Sequence, residues 1–245
     1  MPFKASDLLA DLNDQNRLPA NSDPDIAGFV ANRCKRSFHP EFQQGLASLS
    51  GLAAGTRILT DLGPSPIENI RPGDKVRTKD GGYAQVKAVG SYDIQPNDIA
   101  CCPTLRPIVV PAGTFGNVAP MKVMPSVEFL IQSERARILF ETGKVLVNAY
   151  SCLDYHGVDF YSARRTSVFH VLSFDNEEVI NADGAWVSSG PRLARSSTTH
   201  NRVHWIGEPT QGFAFSEYRR LSRYETRLLL GRAARGMRNI SLKAA

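Results

Sequence analysis

The sequence predicts a mostly β domain over residues 51–190, preceded by a short, partly helical extension at 1–50 and followed by a basic tail with a C-terminal helix at 191–245. Three observations carry this reading. Between 51 and 190, short runs that alternate apolar and polar residues are separated by Gly, Pro and Asp turns, with few helical periods among them. Within that span, Asp80-Gly81-Gly82 is the strongest hairpin signal, because these residues tolerate the positive φ of a primed turn. Charge divides at the same boundary: from Pro191 onward there are 11 Lys/Arg against 3 Asp/Glu, which leaves 18 against 21 in residues 1–190.

In the extension, Ser6 is a capping-type residue ahead of the apolar spacing of Leu8, Leu9 and Leu12, and Asp25 to Phe29 starts a second helical piece. Residues 18–24, rich in Pro, Asn and Asp, form a turn between them. The cluster Arg33, Lys35 and Arg36 reads as a solvated face and receives no function.

The domain opens with three short strands at 56–60, 75–78 and 83–89, joined by turns at Leu62-Gly63-Pro64, Arg71-Pro72-Gly73-Asp74 and Asp80-Gly81-Gly82. Ser91 to Thr104 reads as a polar connection. Val123 to Gln132 and Ala136 to Phe140 read as strands, and Glu141 to Lys144 as the turn into Val145-Leu146-Val147. Phe169 to Phe174 and Val179 to Ala182 follow as strands, with Asp183-Gly184 as a turn. In the tail, Gly190 to Thr199 is expected as a loop and Val203 to Ile206 as an added strand. Ser222 and Glu225 make a capping box that starts a helix. Arg220, Arg223 and Arg227 share one side of that helix and offer an anion contact, opposite an apolar side of Leu221, Tyr224, Leu228 and Leu229. Gly231 and Gly236 weaken its continuation.

Composition excludes several classes of function. Hydrophobic content of 42% and charged content of 22% are those of an ordinary globular protein. No apolar run approaches the roughly 18 to 20 residues of a membrane span. Asp7 and Asp11 interrupt the apolar core that a secretory signal needs, so the expected location is cytoplasmic. Cys34, Cys101, Cys102 and Cys152 lack metal-ligand spacing, and reduced thiols are expected. No cofactor or metal is expected.

Gly55-Thr56, the strand after it, the Gly63 turn, Ile67-Glu68-Asn69-Ile70 and Pro72-Gly73-Asp74-Lys75-Val76 together resemble the opening of the Hint fold, shared by inteins and hedgehog autoprocessing domains. Pro107 to Gly116 is similar to a Pro-Ile-x-Ile-x-Ala-Gly-x-x-Gly segment of a bacterial Hint subfamily. Val168 to Gly190 looks like the family's closing strands. The resemblance covers residues 51–190 and implies a pseudo-symmetric β fold. It also implies a prokaryotic source and an association with secreted or surface proteins.

The same resemblance identifies the positions where the family's chemistry would stand. Its nucleophilic Cys falls at Gly51, its first histidine at Val127 and its second at Glu177, while the closing His-Asn falls at Ser188-Ser189. Self-cleavage of this kind needs a side chain that attacks the preceding carbonyl and an imidazole that protonates the departing nitrogen. Gly51 has no side chain. The first reading is therefore a Hint-like domain that has lost autoproteolysis and acts as a protein-binding or scaffolding module. On this reading it is not an enzyme.

A second reading keeps the activity, with Ser50 as nucleophile and His170 as a candidate base, freeing residues 1–50. A third makes the basic tail a contact to nucleic acid or an anionic surface. The acidic group Asp175, Glu177 and Glu178 is read as solvated turn residues rather than as a metal or acid–base site.

Overall fold

Buried apolar side chains, alternating with exposed ones along strands such as Lys75–Thr78, build two β-sheets over a main hydrophobic core with a smaller apolar cluster apart from it. A computed structural model describes residues 49–162, 165–189, 203–209 and 217–231. The helical pieces expected in residues 1–48, the Arg33, Lys35 and Arg36 cluster, Cys34, the loop after Gly190 and Gly236 lie outside the described residues.

The chain enters through β1 (Leu52–Ala53) and turns at Gly55-Thr56, where the Thr56 hydroxyl donates to the Ala53 carbonyl at 2.7 Å. It then crosses into the second sheet with β2 (Arg57–Thr60), β3 (Gly63–Pro66), β4 (Lys75–Thr78) and β5 (Gly82–Gln85). Alternation sets the faces: Val76 and Thr78 of β4 are buried, and Lys75 and Arg77 are exposed. The β4–β5 ladder runs from Lys75↔Gln85 to Thr78↔Gly82, so the loop is Lys79-Asp80-Gly81. Positive φ falls on Gly82 (90°) and not on Asp80 or Gly81, so a three-residue loop replaces the expected primed turn.

β6 (Ala88–Ile94) returns to the first sheet, and α1 (Pro96–Cys101) follows it. The expected polar connection at 91–104 is thus strand and helix. Gln95 and Asp98 form a reciprocal cap that nucleates α1, with Pro96 in its first turn. β7 (Ile108–Val110) and β8 (Met121–Val123) lead to β9 (Glu128–Gln132), α2 (Glu134–Phe140) and β10 (Lys144–Asn148). Ala136–Phe140, expected as strand, is helical because Ser133 caps it, accepting from the Arg135 amide at 3.1 Å. Left-handed Glu141 (φ 60°) then ends the helix.

The remaining strands are β11 (Asp159–Phe160), β12 (Ser167–Ser173), β13 (Val179–Ala182), β14 (Ala185–Ser188), β15 (His204–Gly207) and β16 (Arg219–Arg220). α3 (Arg223–Leu230) closes the described chain. Among the described residues the first sheet has the order β11-β7-β8-β1-β12-β6-β15. The second has the order β16-β10-β9-β14-β13-β2-β4-β5, with β3 beside β2. Phe129, Phe169, Phe174, Ile58 and Ile108 are at most 1% exposed and anchor the core between the sheets. The fold is mostly β, as expected, with short helices and a basic C-terminal helical region.

The expected capping box of α3 is present: Glu225 N–H donates to Ser222 Oγ at 3.3 Å and Ser222 N–H to Glu225 Oε2 at 2.9 Å. Its inward side differs from the expectation. Leu221, Thr226 and Leu229 are buried, whereas Tyr224 and Leu228, one turn apart on the same face, are exposed. Arg220 precedes the helix, in β16. Among the described residues no helix is long and apolar enough to cross a membrane.

Candidate functional site

The start of the domain is buried in the middle of the first sheet. Leu52 pairs with Val123 of β8 on one side and with His170 of β12 on the other, so the preceding residues Leu49, Ser50 and Gly51 enter the interior. Buried carbonyls need donors, and each of these three has one. Ser126 Oγ donates to Leu49 O, the Tyr92 hydroxyl donates to Ser50 O at 2.7 Å, and the Met124 amide donates to Gly51 O at 2.9 Å.

Ser50, Gly51, Val127, His170, Ser188 and Ser189 line one cavity of about 20 Å³. That is room for roughly one water and no substrate. Val127 is fully buried, so the wall it supplies is apolar. At Gly51 there is no space for a side chain: a Cβ would lie 2.8 Å from the Tyr92 hydroxyl oxygen, 3.2 Å from Phe169 Cβ and 3.3 Å from His170 O. Tyr92, packed on Phe169 with ring centroids 5.9 Å apart, thus fills the place of a residue-51 side chain and holds the Ser50 carbonyl with the same atom.

Glu177 does not line this cavity. It is 8% exposed, not a solvated turn residue, and it stands behind Ser188, whose hydroxyl donates to Glu177 Oε1 at 2.6 Å. On its far side the Arg220 guanidinium bonds Glu177 and also donates to Glu128 Oε2 at 3.0 Å. Burial pushes the Glu128 carboxyl above its usual range, against the pull of Arg220. The acidic trio of the turn is divided: Asp175 pairs with Lys87 at 3.0 Å, and Glu178 faces an open groove of about 1100 Å³ that Glu177 also lines.

His170 is half-buried. Burial lowers its imidazole pKa, nearby Glu68 opposes that shift, and Arg71 adds to it. Glu68 is itself held below its usual range, chiefly by the Gly55 amide, which donates to it at 2.8 Å. Cys102 and Cys152 are free and buried, and burial pushes the Cys152 thiol up to about 12, far from a reactive thiolate. Among the described residues no group of three His, Cys, Asp or Glu is arranged to hold a metal ion.

The arginines offered as an anion contact have intramolecular partners where the structure records them. Arg220 binds the two carboxylates, and Arg223 stacks on the Tyr150 ring at 4.9 Å. Arg227 lies in the last turn of α3. Sequence reasoning missed Tyr92, Ser126, Glu128 and the role of Arg220. Tyr92 is 42 residues from Ser50, and Arg220 is 43 from Glu177, beyond any local pattern.

A family model described as the Hint domain matches residues 50–194. Among solved structures, a bacterial intein-like domain from Clostridium thermocellum is 17% identical, with 57% of this chain and 98% of that chain covered and a TM-score of 0.39. The gp41-1 intein is 15% identical, over 57% of this chain and 98% of that one, with a TM-score of 0.36. No curated protein matches this chain. With more than half of its residues matched by the family model, and the fold to go with them, the chain belongs to the Hint domain family.

Proposed function

We propose that this chain is a Hint domain degenerate at its catalytic positions, which has lost self-cleavage and serves as a protein-binding or scaffolding module. The observation that carries this reading is the Tyr92 hydroxyl, 2.8 Å from the place of a Cβ on residue 51. A nucleophile there would have no room, and none is present. The other matching positions support the same reading. Val127 offers no proton, and Glu177 is tied to Arg220 and Ser188. Ser188-Ser189 contains no side-chain amide to cyclise.

Intact mass measured over prolonged incubation, with and without thiol and hydroxylamine, tests this directly. The full mass is expected throughout. A fragment beginning at Ser50 or at Gly51, or an ester trapped at Ser50, overturns the reading.

One observation favours self-cleavage through Ser50. The Leu49 carbonyl, which the Ser50 hydroxyl would attack, accepts from Ser126 Oγ, and Ser50 shares its cavity with His170. In that chemistry the Ser50 oxygen bonds the Leu49 carbonyl carbon, the peptide C–N bond breaks, and the hydroxyl proton ends on the freed Ser50 amine. The resulting ester is then open to water, which releases residues 1–49 and leaves Ser50 at the head of the remaining chain, one residue short of the expected 1–50. Ser50→Ala must abolish release if this occurs. For the tail as an anionic-surface contact, the engagement of Arg220 and Arg223 within the fold leaves less charge to offer.

A further inference from the structure

The segment Tyr218–Leu221 lies beyond the family-matched residues, yet it is seated on the domain in the manner of a bound peptide. β16 runs parallel to the edge of β10 in a ladder of two residue pairs, Val145↔Arg219 and Leu146↔Arg220, and the Leu221 amide extends it by donating to Leu146 O at 2.9 Å. Side chains two apart enter two receptor features. The Tyr218 ring packs on a separate apolar cluster of Leu130, Leu146 and Val179, and its hydroxyl meets the Asp80 carboxylate. Arg220 inserts between Glu128 and Glu177, whose side chains are 12% and 3% exposed.

A nearly buried carboxylate pair is costly without a cation, and a planar guanidinium presents a fixed fork of separated donors to two acids, whereas an ammonium offers a single compact charge. Main-chain pairing supplies affinity in such an arrangement, and pockets for alternate side chains supply the selection.

We propose that the β10 edge, with Asp80, Glu128 and Glu177, is a strand-addition site for an extended Tyr-x-Arg-Leu segment of a partner protein, and that residues 218–221 are its resident occupant in cis. The short ladder makes the resident segment an exchangeable latch. This deepens the reading of the domain as a binding module and rests on it. A cleaved mass in the incubation above sinks that reading without touching the binding data described here, so the two failures are distinguishable.

The test uses the full chain carrying Arg220→Ala and a capped peptide of residues 217–222, with a control peptide in which Arg220 is Ala. At millimolar peptide the variant's melting temperature is expected to rise by about 5 °C, with no rise for the wild-type chain, for the control peptide, or when Glu177→Gln is added to the variant. Equal melting with and without peptide, or a shift that survives Glu177→Gln, overturns the proposal. So does a variant with no cooperative melt under either condition, because the segment is then part of the core.

Hydrogen exchange on the wild-type chain gives a second measurement. The Leu221 amide is expected to exchange at least about tenfold faster than that of Val171 in β12, and equal protection overturns the latch. A concentration-dependent dimer that swaps residues 218–221 between copies assigns the site to a second copy and overturns the partner-protein form.

Discussion

Tyr92 and Gly51 are a complementary pair: the tyrosine hydroxyl that donates to the Ser50 carbonyl at 2.7 Å stands where a side chain on residue 51 would have to begin. Gly51→Ala is therefore expected to cost about 1–3 kcal/mol through overpacking. Tyr92→Phe costs about 1–2 kcal/mol, since it leaves a buried carbonyl without that donor. In the double variant the clash is relieved, so the two losses fall short of their sum by roughly 1 kcal/mol in urea unfolding. Strict additivity would show that the pair is not in contact.

Arg220 joins two elements through Glu128 and Glu177, so its loss should strand both acids. Arg220→Ala is expected to cost about 2–4 kcal/mol, toward the lower end because the arginine is 31% exposed. Neutralising the acids with Glu128→Gln and Glu177→Gln in that background recovers part of the loss. Denaturant midpoints of the three variants measure it.

Glu225 is held down to about 2 from a usual 4.5, first by the Ser222 amide and then by Arg219. A depressed carboxyl favours the folded chain in its ionised form. Its stabilisation is present above pH 4.5 and is lost as the pH falls from there through 2. Ser222→Ala is expected to cost about 1 kcal/mol, and Glu225→Gln to flatten the acid limb of the stability profile between those two values. Thermal melts across pH 2–6 read both.

His170 is expected to titrate below its usual 6.5, because burial disfavours the charged ring. The folded chain prefers the neutral imidazole, so this group withdraws stability as pH falls below 6.5. Glu68→Gln removes the opposing charge and lowers the value further. Imidazole NMR titrations of the two proteins measure the difference, and an upward shift in the variant would contradict the placement.

The opening strands, the Ser222–Glu225 cap and the empty position at residue 51 could be read from the chain because each depends on residues within a few positions of one another. Ala136–Phe140 could not. Four apolar residues around Arg137 fit strand and helix alike, and the Ser133 cap with left-handed Glu141 decided for helix. Glu177 was misread for a related reason. A Glu in a turn is ordinarily solvated, and only the docking of β16 brings Arg220 across 43 residues to bury it.

The sequence by itself determined that this protein folds as a Hint-type β domain and that residues 51 and 127 carry no nucleophile or imidazole. Tertiary structure alone decided the surroundings, with Tyr92 filling the place beside Gly51 and Arg220 bridging Glu128 and Glu177. Local patterns fix which face of a strand is apolar. Which distant side chain meets it depends on register across two sheets, and register is set only when the whole core packs.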